Sequence, residues 1–235
     1  MTLPSQTLVC FSGFLQKLLR FVYYLLYHSF AWTYDLVSGM VSLGHWNNWV
    51  KEVIPFMRGK KILELGFGPG HLQLELTSRG FQTFGLDESP QMAKLASRKL
   101  KLNDSSINLV RGLSLYLPFS SCFDTIVATF PSDYIFALGT IREITRALVP
   151  GGRLIVLLGV SPGNPNSRSK LANLLSNAKL LSGVERFNRK LEQLCNIYGD
   201  EGIKTDILRI PKGSVTLLVL LGEKSTLQGN MANIA

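Results

Sequence analysis

Lys61-Ile62-Leu63-Glu64-Leu65-Gly66-Phe67-Gly68-Pro69-Gly70 joins a short apolar run to three glycines, and the fold follows from it. The first five residues fit a buried strand, and the glycines open onto a helical pattern from Leu72 to Arg79. Glycines at such a turn permit a sharp bend and let the backbone approach a ligand where a Cβ would clash. Amides at the start of the following helix can bind a carboxylate or phosphate oxygen. A second strand, Gln82 to Leu86, ends in Asp87, about twenty residues after Gly66 and placed to accept hydrogen bonds from ribose hydroxyls. A dinucleotide loop would carry a third small residue where this chain has His71, which counts against that ligand, although Gly70 stands beside it. His71 itself is read as a residue that starts a helix.

Outward from this loop, short apolar runs alternate with helical patterns, the signature of a parallel sheet covered on both faces. A helix is expected over Pro90 to Leu102, with Ser89 capping its amides and proline at its first position. Strands are expected at Ile107 to Val110 and Phe123 to Thr129. A helix with Ile141, Ile144 and Leu148 on one face should then stop at Pro150-Gly151-Gly152. Arg153 to Val160 is a fifth strand, and the loop Ser161 to Asn166 leads into helical stretches Ser169 to Leu181 and Val184 to Tyr198. Lys204 to Ile210 and Ser214 to Leu221 are joined too briefly for a parallel crossover, so they form an antiparallel hairpin. The fold class is α/β: a Rossmann-like doubly wound sheet of about seven strands, mostly parallel, with an antiparallel carboxy-terminal hairpin strand and amino-terminal helices.

The 235 residues suit one α/β core with an added element: an apolar segment over 1–57, a nucleotide-binding domain over 58–224 and a polar tail over 225–235. Lys and Arg number 25 against 16 Asp and Glu, a net charge of +9. The basic residues fall in small groups, with no continuous basic arm of the kind that grips nucleic acid. Three distant cysteines, Cys10, Cys122 and Cys195, lack metal-type spacing and point to a reducing cytosol.

From Leu8 to Tyr34 the chain is strongly apolar and aromatic. Its charge-free run Phe21 to Tyr34 would reach about 21 Å as a helix, short of a hydrocarbon core of about 30 Å. A longer span would have to include Lys17 and Arg20. Phe11, Leu18 and Val22 recur at helical spacing while Lys17, Arg20 and Tyr24 fall opposite, a pattern suited to a helix lying on an anionic membrane surface. The same helix could instead cover the chain's own site. The expected localisation is cytoplasmic, with peripheral contact at the inner membrane face.

Taken together, these residues resemble class I S-adenosylmethionine-dependent methyltransferases from about Tyr34 to Leu221. Ile62 to Gly70 resembles that family's first motif, and Gly85-Leu86-Asp87-Glu88-Ser89 with Met92 its second. Leu117-Pro118-Phe119 before Phe123-Asp124, and Ile141-Arg142-Glu143-Ile144 through Pro150-Gly151-Gly152-Arg153-Leu154, resemble its later segments. The resemblance implies S-adenosyl-L-methionine as cofactor. Gly66, Gly68 and Gly70 would line its methionine part, Glu64 would orient the loop or meet the amino group, Asp87 would hold the ribose, and Glu88 would lie beside the adenine. The family often has an aspartate after the third strand's glycine, where this chain has Leu113 and Ser114 after Gly112, leaving backbone contacts to read the adenine.

Trp32-Thr33-Tyr34-Asp35-Leu36 with Ser42-Leu43-Gly44-His45-Trp46 is similar in part to the start of quinone-biosynthesis C-methyltransferases. Tyr34 and Phe130 are therefore expected on the substrate or lid side. Methyl transfer needs alignment and exclusion of water more than any obligatory catalytic group. Asp133 and Tyr134 are the candidates for a general base if the acceptor must lose a proton. The favoured acceptor is small or lipid-like and hydrophobic. An RNA or protein methyltransferase, a non-catalytic binding subunit and a nicotinamide oxidoreductase are the alternatives.

Overall fold

The computed structural model describes residues 46–162, 179–213 and 215–226. The apolar segment from Leu8 to Tyr34, including Tyr34, lies outside the described residues, as does the expected helix start at Ser169.

The chain enters through α1 (Trp46–Lys51) and a 3-10 turn (Ile54–Phe56). Strands and helices then alternate: β1 (Lys61–Leu65), α2 (His71–Ser78), β2 (Gln82–Asp87), α3 (Pro90–Leu102), β3 (Leu109–Arg111) and β4 (Phe123–Thr129). A 3-10 turn (Asp133–Phe136) and α4 (Leu138–Ala147) precede β5 (Leu148–Pro162). The remainder is α5 (Lys179–Asp200), β6 (Ile203–Lys212) and β7 (Val215–Lys224).

Seven strands form one sheet in the order β3-β2-β1-β4-β5-β7-β6. The first five run parallel, while β7 inserts antiparallel between β5 and β6. The mostly parallel sheet with one reversed hairpin strand is thus the observed architecture, with that strand inside the sheet and β6 at its edge.

Strands covered on both faces need apolar residues throughout, and alternate side chains go to opposite layers. Leu63, Ile126 and Leu154 enter one cluster with Ile141, Ile144 and Tyr198. Their neighbours Ile62, Val127 and Ile155 enter the other, with Leu72, Leu76 and Val219. Val50, Val53 and Ile54 belong to this second layer, so α1 and the turn after it pack onto the sheet. The start of α3 is as expected: the Ser89 hydroxyl accepts from the Met92 amide at 3.3 Å, and Pro90 occupies the first position.

Three boundaries differ from the sequence expectation. α4 ends at Ala147, ahead of Pro150-Gly151-Gly152, because Leu148 is already extended and pairs with Phe123. The third strand shifts to Leu109–Arg111, since Ile107 is 45% exposed and finds no place in the core. One helix, Lys179–Asp200, runs through Ser182-Gly183, where a break between two helices was expected.

Candidate active site

The strand order reverses direction between β1 and β4, and the crevice outside the carboxyl ends of such strands is where open α/β sheets bind ligands. Gly66, Gly68 and Gly70 all adopt positive φ, at 70°, 51° and 80°, a region that side chains with a Cβ rarely enter. Two of them also have no room for a Cβ. At Gly66 it would lie 2.9 Å from the Tyr134 hydroxyl, and at Gly70 2.8 Å from the Ala96 Cβ of α3. A Cβ on Gly68 would meet nothing within 4 Å, so the space above the loop's centre is open to a ligand.

Asp87 ends β2 and is 2% exposed. One carboxylate oxygen accepts the Gly68 amide and the other the Ser89 amide, both at 2.9 Å. Asp87 therefore ties the glycine loop to the start of α3, while each oxygen retains acceptor capacity. Burial pushes its pKa up, the Ser89 and Gly68 amides pull it back, and the Glu88 charge adds to the rise. Glu64 is also 2% exposed and accepts the Gln73 side-chain amide at 2.8 Å. Burial raises its pKa to about 8 against the pull of that amide, with the charge of Asp87 contributing further. Two desolvated carboxylates at a ligand crevice are a functional signature with a physical cause.

A crevice of about 220 Å³ runs from Gly66 past Asp87 and Glu88 to Gly112, Leu113 and Ser114, with Tyr134 on its far wall. Ser114 and Thr140 share a hydrogen bond at 3.0 Å, fixing the loop after β3 to α4. The crevice thus gathers Gly66, Asp87, Glu88, Leu113 and Ser114 from the expected set. Gly68 reaches them through its bond to Asp87, and Glu64 lies beneath the loop. A larger groove of about 620 Å³ runs along α1, α2 and the turn after α3, but it excludes Asp87 and the loop after β3, so size does not choose the site.

Tyr134 donates its hydroxyl proton to the Leu65 carbonyl at 3.0 Å. This bond holds the chain just ahead of Gly66, a positioning contact rather than the geometry of a base awaiting a proton. Asp133 is exposed, while Ser132 and Tyr134 on either side of it line the crevice. Phe130 has φ 49°, a rare conformation for a bulky residue, and its ring stacks on Trp46 with centroids 4.0 Å apart. His71 is the first residue of α2, with the Lys99 amine 3.0 Å from its ring nitrogens. Among the described residues no three His, Cys, Asp or Glu side chains converge on a metal position.

Sequence reasoning did not single out Gln73, Thr140 or Trp46 as site residues. Gln73 carried a signal, being a buried-face amide between Leu72 and Leu76 on the helix behind the glycine loop. Thr140 and Trp46 carried none, because their partners Ser114 and Phe130 meet them only through the tertiary fold.

A glycine loop at the switch point, tied down by a buried carboxylate that ends the second strand, defines a Rossmann-like nucleotide-binding domain. More particularly, residues 62–152 match the family described as Methyltransferase domain. The chain is 34% identical over 134 residues to the demethylmenaquinone methyltransferase of Thermus thermophilus, covering 53% of this chain and 60% of that protein. It is 32% identical over 116 residues to the uncharacterized methyltransferase YdaC of Bacillus subtilis, covering 48% of this chain and 63% of that one. The chain thus spans less than two thirds of the length of these relatives. In fold it is similar to phosphoethanolamine N-methyltransferase 2 of Haemonchus contortus, with a TM-score of 0.55 and 17% identity over 77% of this chain and 53% of that chain.

Proposed function

We propose that the chain transfers a methyl group from S-adenosyl-L-methionine to a small, lipid-like hydrophobic acceptor, with a ring carbon of a reduced quinone as the acceptor to test first. The observation that carries the donor is the crevice in which the glycine loop, Asp87 and the Leu113-Ser114 backbone converge. The acceptor class is supported by the relatives named as quinone C-methyltransferases and by the apolar segment from Leu8 to Tyr34.

When bound, the donor supplies an electrophilic methyl group on a positively charged sulfur, displaced in line by the acceptor. The chain's own residues then have distinct tasks. Asp87 offers its remaining lone pairs to ribose hydroxyls while it keeps the loop in place. Gly66 and Gly68 bring the backbone close enough to touch the methionine part. Glu64 lies under that part, where the donor's ammonium group would favour its charged form. Leu113 and Ser114 present backbone and apolar surface to the adenine, with Glu88 beside it. Tyr134 holds Leu65 and leaves proton removal to the acceptor's own acidity or to solvent. The apolar amino-terminal segment, with Lys17 and Arg20 on its polar side, would bring the chain to an anionic membrane surface where such acceptors dissolve.

Isothermal titration with S-adenosyl-L-methionine, followed by an assay of S-adenosylhomocysteine release with demethylated naphthoquinols in anionic vesicles, tests both halves. Binding with quinol-dependent release is expected. Absence of donor binding would sink the reading as a whole, and binding without release on any quinol would sink the acceptor class alone.

A further inference from the structure

The Trp46–Phe130 stack has no part in the roles above. Trp46, on α1, lines a small cleft of about 30 Å³ together with Glu64, Gly66, Gly68 and Thr129. Gly66 also lines the larger crevice that holds Asp87 and Leu113, so the two spaces meet at that glycine. Phe130 is held behind Trp46 by a backbone in the left-handed region, with its amide donating to the Leu157 carbonyl at 2.7 Å. A bulky residue keeps such a conformation where the surrounding structure fixes it, and such sites gather at ligand clamps. The result is a half-buried indole, backed by a second ring, in the small cleft that shares Gly66 with the crevice.

A donor lying as the proposed function has it places its ribose at Asp87 and its methionine part along the glycine loop. Its sulfur would then lie near Gly66, which shares the small cleft with Trp46. That sulfur is a cation before transfer and a neutral thioether after it. Aromatic faces attract cations, indole most strongly, and the attraction grows where water is excluded.

We propose that Trp46, backed by Phe130, recognises the positive charge of the donor's sulfur and so discriminates S-adenosyl-L-methionine from S-adenosylhomocysteine. This rests on the proposed donor. Trp46 is a specificity-determining residue in this view, favouring retention of the charged donor and release of the neutral product.

The test is titration of both ligands into the full chain and into Trp46→Leu and Trp46→Phe, with tryptophan fluorescence as a second readout. In Trp46→Leu the dissociation constant for S-adenosyl-L-methionine should rise about fivefold while that for S-adenosylhomocysteine stays within about twofold. Trp46→Phe keeps a ring and should shift the ratio of the two constants in the same direction by about twofold, which covers a leucine variant that fails to fold. Equal losses for both ligands, or an unchanged ratio in Trp46→Phe, would overturn the proposal and leave Trp46 a packing residue. A wild-type chain that binds neither ligand would overturn it together with the donor assignment. One that binds both with a ratio insensitive to Trp46 would overturn the charge recognition alone.

Discussion

Carboxylates at the two ends of the sheet behave in opposite ways. At the amino ends of the strands, Glu143 pairs with Arg146 and accepts the Leu117 amide, Glu223 meets Arg58 and Arg153, and Glu201 meets Arg142. Arg146 beside Glu143 holds its carboxyl below the usual range. At the carboxyl ends, Glu64 and Asp87 are buried on amides, and burial pushes both upward. One end spends its acids on exposed ion pairs. The other keeps them desolvated at the crevice, where a ligand's hydroxyls or ammonium group would be their natural partners.

The largest effect should come from cutting the tie at the crevice end. Asp87→Ala leaves the Gly68 and Ser89 amides without their carboxylate, and an orphaned buried donor costs about 1–3 kcal/mol. Urea unfolding should show a loss of about 2–4 kcal/mol, and titration a drop of more than tenfold in donor affinity. Unchanged stability would mean the loop does not depend on Asp87, and the contrast between the two ends would lose its main support.

Next comes the pH dependence that the buried acid imposes. Glu64 stays protonated in the folded chain up to about pH 8, whereas in the unfolded chain it ionises near its ordinary value of 4.5. Folding therefore takes up a proton across that window, and this group's contribution to stability falls as pH rises from about 4.5 to 8, then levels off. Glu64→Gln should remove that fall, so the stability gap between variant and wild type widens from about pH 4.5 to about pH 8 in denaturant titrations. Parallel pH profiles for the two proteins would show that Glu64 titrates normally.

The crevice end was also the harder to read in advance. β1 and β4 were legible to the residue because an unbroken apolar run such as Phe123 to Thr129 has few other places to go. The glycine loop and Asp87 were legible because their spacing follows from local chain geometry. Tyr134 was legible as a residue of the loop after β4, but its bond to the Leu65 carbonyl was not, since that bond spans 69 residues. The stack of Trp46 on Phe130 depends on a positive φ that nothing in Thr129-Phe130-Pro131 announces. The helix boundary at Ala147 moved because the bulged pairing of Leu148 with Phe123 starts before the proline and glycines act.

Tyr134 gives a smaller test of the same contrast. Tyr134→Phe deletes the donor to the Leu65 carbonyl and should cost about 1 kcal/mol in thermal or urea unfolding, near the mean for one such hydrogen bond. Turnover should fall no more than severalfold and keep its pH profile. Loss of an alkaline limb in that profile would restore Tyr134 as a proton-transfer group.

The smallest effect belongs to the amino-terminal end of the sheet. Arg142 donates to Glu201 at 2.9 Å, but its side chain is 62% exposed, so water and salt screen the pair. Exposed pairs of this kind contribute about 0.2–1 kcal/mol. Arg142→Ala should therefore lower stability by less than about 1 kcal/mol, with the difference shrinking further at about 1 M salt, because the Debye length there is about 3 Å. Donor affinity should not move, since Arg142 is not among the residues that line the crevice. A variant at this position that weakened donor binding would couple the two ends through α4, whose other face carries Thr140 on Ser114. The division between an end built for stability and an end held ready for a ligand would then give way to a single linked network.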